Sequence, residues 1–87
     1  MLPLVACTAA ETWTAKDRED YIWDCAVVID RQSRGQSNGM VTRAYCTCVL
    51  AETESRYAPE EARGNFQNVV AKLPPIAVKG CQQKTGL

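Results

Sequence analysis

The chain has 87 residues, enough for one domain, but a chain this short buries only ~60–65% of the surface that its unfolded form exposes, so extra bracing is expected. Ten basic and ten acidic residues cancel, leaving no long-range field to gather phosphates or an anionic bilayer, which argues against nucleic acid as a partner. Histidine is absent, and with it the commonest general base and the commonest metal ligand.

Residues 1–12 read as a short leader and tether, and residues 13–87 as a single domain. Thr14-Ala15-Lys16-Asp17 approximates a capping box, and Asp17, Glu19 and Asp20 place negative charge where a helix dipole favours it. The pattern predicts a helix over 13–31. On its wheel Ile22, Cys25, Ala26 and Ile29 share one face, while Asp17, Asp20, Asp24 and Arg31 gather opposite. Tyr21 with Val28, and Trp23 with Val27, make both flanks apolar. An arc that wide exceeds what one neighbour covers, so part of it, at Tyr21 or Trp23, is a candidate contact for a protein partner.

Residues 32–39 contain no apolar side chain and two glycines, which predicts a loop joining two antiparallel helices. Its exposed tip around Arg34 is a further candidate contact. The second helix is predicted over 40–57, with Val41, Ala44, Tyr45, Cys48 and Val49 forming one stripe and Cys46 and Leu50 an adjacent or opposite one. In that helix Cys46 and Cys48 point about 200° apart, toward different neighbours. In the hairpin one of them lies level with Cys25, and the other is free to reach Cys81. Pro59, Glu60 and Glu61 suit the start of a third helix. Its apolar spacing continues through Phe66, Val69, Val70 and Leu73, with Gly64 as a modest cost, until Pro74-Pro75 stops it. Residues 76–81 are expected as a short strap fastened by Cys81, and residues 82–87 as a frayed end. The fold class is therefore all-α: a stapled helical hairpin, a third helix and a C-terminal strap.

Two disulfides among Cys25, Cys46, Cys48 and Cys81 are the favoured use of these cysteines, since a domain this small needs such links. Cys25 pairs with either Cys46 or Cys48, and the sequence does not choose. A four-thiolate zinc site fits less well because only one close pair exists, spaced by a single residue. A redox role for Cys46-Thr47-Cys48 would need a depressed thiol pKa, favoured at helix starts rather than two turns in. The acids are accounted for by a solvated helix face and helix starts, and the serines have no histidine to activate them. No catalytic residue, metal ligand or cofactor site is assigned.

A fifth cysteine is left over. Leu4-Val5-Ala6-Cys7 resembles the lipobox of bacterial lipoproteins, in which the signal is cut before the cysteine and the thiol carries lipid. Only six residues precede Cys7, without a basic start or a full apolar run, so the stretch reads as the remnant of a signal. Together with the Tyr-Cys-x-Cys helix and the late cysteine, the chain is similar to small exported bacterial proteins, and more loosely to the envelope immunity and superinfection-exclusion lipoproteins that neutralise a toxin or shut off a receptor. That resemblance implies lipidation at Cys7, which would attach the chain to a membrane. It also implies a periplasmic location, sorting to the outer membrane through Thr8, and a non-enzymatic binding or inhibitory role on an envelope protein such as a receptor, toxin or secretion component. The alternatives are a thiol or metal handler built on Cys46 and Cys48, and a structural subunit of an envelope complex.

Overall fold

A computed structural model describes residues 12–87. The lipobox, Cys7 and Thr8 lie outside the described residues. Within them the protein is all-helical, with α1 (Ala15–Gln32), α2 (Gly39–Glu54), α3 (Pro59–Ala62), α4 (Phe66–Lys72) and α5 (Pro75–Thr85) in chain order.

Both long helices are set by their caps. Thr14 Oγ1 accepts from the Asp17 amide at 3.1 Å while Asp17 Oδ2 accepts from the Thr14 amide at 3.1 Å, the reciprocal box expected from the sequence. α1 consequently begins at Ala15, and Trp13 stays outside it as a buried residue whose Nε1 donates to the Tyr57 carbonyl at 2.9 Å. Asn38 starts α2 by accepting from the amides of Met40 and Val41, at 2.9 and 3.2 Å.

The two helices run antiparallel. From Arg18 to Tyr21 to Cys25, their partners on α2 move backward from Glu54 to Thr53 to Cys46. The buried side of α2 is Thr42, Tyr45, Cys46, Val49, Leu50 and Thr53. This corrects the predicted stripe, for Ala44 is exposed and Cys48 lies on the flank. The two threonines keep helical spacing with the apolar residues, and their methyl groups let them join that side.

The predicted third helix is broken. Gly64 adopts a left-handed conformation, φ +68°, two residues beyond Ala62, and the chain turns before α4 starts. That turn lets Phe66, Val69 and Leu73 bury alongside α1 and α2. The expected strap and frayed end are likewise corrected. Pro75 stands at the first position of an eleven-residue helix, where its missing amide costs nothing, and Gly86 closes it at φ +83°. Pro74-Pro75 thus ends one helix and begins the next.

Candidate functional site

Cys46 and Cys48 serve different neighbours, as their angular separation requires. Cys25 bonds Cys46, with Cα atoms 5.8 Å apart, and Cys48 bonds Cys81, with Cα atoms 5.7 Å apart. The first link ties α1 to α2 and the second ties α5 to α2. All four sulfurs are thereby committed to disulfides. Among the described residues no group of three or more His, Cys, Asp or Glu side chains is placed to hold a metal ion.

The three sequence-derived contact candidates separate in the structure. Tyr21 is buried, 4% exposed, and its hydroxyl lies 2.7 Å from Thr53 Oγ1. Its ring meets Trp13 and Phe66 edge-on, with centroids 5.9 and 5.2 Å away. Tyr21 is therefore a core residue and not a contact surface. The wheel already put it beside Cys25, but the hydroxyl's partner on α2 has no local signal in the sequence. Burial pushes its phenol up to about 12.

Arg34 is exposed and occupies a left-handed position, φ 57°. The Gly35 amide donates to the Asp30 carbonyl at 2.9 Å, and the Arg34 amide to that of Arg31 at 3.2 Å. These are the paired bonds of a Schellman stop, so Arg34 terminates α1. Its side chain lines neither of the grooves described next.

Trp23 is different, being 71% exposed. At 100° per residue it stands about 145° round α1 from the middle of the buried stripe of Tyr21, Ile22, Cys25 and Ile29. Val27 lies one turn on, half-buried, and Arg31 another turn on. This ridge separates two open grooves. The larger, about 550 Å³, runs between α1 and the start of α2, with Ile22, Ala26, Gly39 and Thr42 between its walls. The smaller, about 380 Å³, lies between α1 and the chain from Gly64 to Asn68. Trp23, Val27 and Arg31 border both.

Small residues keep the larger groove open, since nothing lies within 4 Å of where a Cβ on Gly39 would sit. Thr42 is 4% exposed, and its Oγ1 is buried without a hydrogen-bond partner among the described residues. At one end Glu19 and Arg43 pair across the groove at 2.7 Å, both largely solvated. At the other stand Asp30, whose Oδ1 accepts from Ser37 at 3.5 Å, and Arg31, which makes no ion pair among the described residues. The surface is thus an apolar ridge and trough with balanced charge at its ends, held on a helix that a disulfide fixes from behind.

No helix of the described residues is long and apolar enough to cross a membrane. Comparison with known protein families, with curated proteins and with solved structures finds no match to this chain.

Proposed function

We propose that this chain is a non-enzymatic binding module of the cell envelope, held to a membrane through lipid on Cys7 and acting by presenting the outer face of α1 to a protein partner. The observation that carries the reading is Trp23, an exposed aromatic ridge between two grooves on a helix braced by disulfides. A tryptophan side chain turns about only two bonds and so loses little entropy when covered, and residues of this kind contribute about 2 kcal/mol or more to an interface. Two disulfides suit an oxidising compartment, and Leu4-Val5-Ala6-Cys7 supplies the resemblance to a lipidation signal.

Placing a photo-crosslinkable amino acid at position 23 of the full chain in its host tests this. An ultraviolet-dependent adduct at position 23, missing when the same group replaces exposed Gln83 on α5, supports the binding face. Adducts of equal yield at both positions, or none at position 23, count against it. Metabolic labelling with palmitate, lost in Cys7→Ser, tests the anchor separately.

A further inference from the structure

We propose that the protein covering this face is a second copy of the chain, with the two α1 helices packed antiparallel about a twofold axis level with Cys25. This rests on reading the outer face of α1 as a binding surface and adds the identity of what binds. Glu19, Trp23, Val27 and Arg31 follow one another at intervals of four residues along α1, and all four border the larger groove. Rows at that spacing are the ridges by which helices pack into one another's grooves.

The order of these four residues is self-complementary. Antiparallel pairing about Cys25 sets Glu19 of one copy level with Arg31 of the other and Trp23 level with Val27, and the twofold repeats both contacts. Acid meets base at each end, and apolar meets apolar in the middle. Arg31, which makes no ion pair within the described residues, gains one. Glu19 keeps an oxygen for it beside Arg43, because the Glu19–Arg43 pair is open to solvent. Asp20 of one copy comes level with Asp30 of the other, and Asp20 brings its own counter-ion, Lys16 at 2.9 Å.

Shape agrees with charge. Each copy offers a projecting row beside a trough, so that the row of each enters the trough of the other. Four residues over three turns make a small contact, of the size class to which weak and transient pairs belong, so the dimer is expected to form only at high concentration.

The test is sedimentation of the full chain carrying Cys7→Ser, so that no intermolecular disulfide contributes, at concentrations up to about 500 μM, as a small interface demands. The chain is expected to dimerise, with Trp23→Ala weakening association about thirtyfold or more. Glu19→Arg alone sets Arg against Arg, and Arg31→Glu alone sets Glu against Glu; each is expected to weaken self-association at least about tenfold. An equimolar mixture of these two variants is expected to recover wild-type association, because each then meets the opposite charge at both ends. Failure of the mixture to recover, or dimers indifferent to all three substitutions, overturns the proposal. If the chain stays monomeric while position 23 crosslinks to a different protein, self-pairing is wrong and the binding face stands. Monomers together with a silent position 23 would remove both.

Discussion

Tyr21 donates its phenolic hydrogen to Thr53 across the interface of α1 and α2. The oxygens are 2.7 Å apart, and the single hydrogen on Thr53 Oγ1 is directed to the Val49 carbonyl at 2.9 Å. A carbonyl only accepts, so Thr53 is committed as donor there and receives from Tyr21. Deprotonating Tyr21 would bury a phenolate opposite an oxygen whose hydrogen points elsewhere.

Alkaline pH is therefore expected to destabilise the protein. The folded Tyr21 is pushed up to about 12 by burial, whereas an unfolded tyrosine titrates near ~10. Below that value both states are protonated and the stabilisation is complete. As pH rises further the unfolded chain loses its proton first, and by pH ~12 about 2–3 kcal/mol is gone. Tyr21→Phe should cost about 1 kcal/mol at neutral pH and flatten the alkaline slope. Some slope should persist, because burial raises Tyr45 as well. Urea midpoints measured between neutral and strongly alkaline pH check both statements, and an unchanged slope in the variant contradicts the assignment.

The two disulfides should fail differently. They span 21 and 33 residues, and loop-closure entropy gives each about 3–4 kcal/mol. Cys81 is the only fully buried residue of α5, which lies along α2 with Val78 half-buried against the core and Ile76 82% exposed, so the sulfur link carries a large share of that helix's attachment. Cys48→Ser with Cys81→Ser is expected to release amide protection over residues 75–85 while α1 and α2 stay protected. Cys25→Ser with Cys46→Ser opens the centre of the core, and protection should fall throughout the chain. Hydrogen exchange read by peptide distinguishes the two patterns; equal, global loss in both would show α5 to be integral to the core.

The hairpin was legible in the sequence because its signals are local: the Thr14–Asp17 box, a polar loop with two glycines, and sulfurs about 200° apart on one helix. What was not legible depended on distant residues. Tyr21 and Trp23 are both aromatic flank residues of the same helix, and only the positions of Thr53, Trp13 and Phe66 decide that one is buried and the other exposed. The disulfide pairing was open because either central cysteine satisfies the hairpin spacing. Gly64 and Pro74-Pro75 were misjudged because each has two meanings in a helical run. A glycine weakens a helix or ends it in a left-handed turn, and a proline stops one helix or starts another.

Arg34 marks a local improvement that the protein has not adopted. It stands at the left-handed stop of α1, φ 57°, where a Cβ costs about 1–2 kcal/mol that glycine does not incur. The greater freedom of glycine in the unfolded chain returns part of that gain. Arg34→Gly is expected to stabilise the fold by about 0.5–1 kcal/mol, read as a shift in urea midpoint at constant slope. Destabilisation would mean that the Arg34 side chain makes contributions beyond its place in the turn.

Thr42 carries the converse case, a polar atom where an apolar one would serve the isolated chain better. Its Oγ1 is buried in α2 beside the larger groove with no partner among the described residues, and an unsatisfied buried hydroxyl costs about 1–3 kcal/mol. Valine has nearly the same shape and no such group, and helix propensity scarcely separates the two. Thr42→Val is thus expected to raise stability by about 1 kcal/mol in urea denaturation, without altering the charges on which pairing of α1 helices depends. Measured with the sedimentation series, the same variant separates folding from binding. A more stable chain with unchanged self-association places the hydroxyl outside the contact. A more stable chain that associates less tightly means that the ridge of the second copy reaches Thr42 and supplies the hydrogen bond that the single chain lacks.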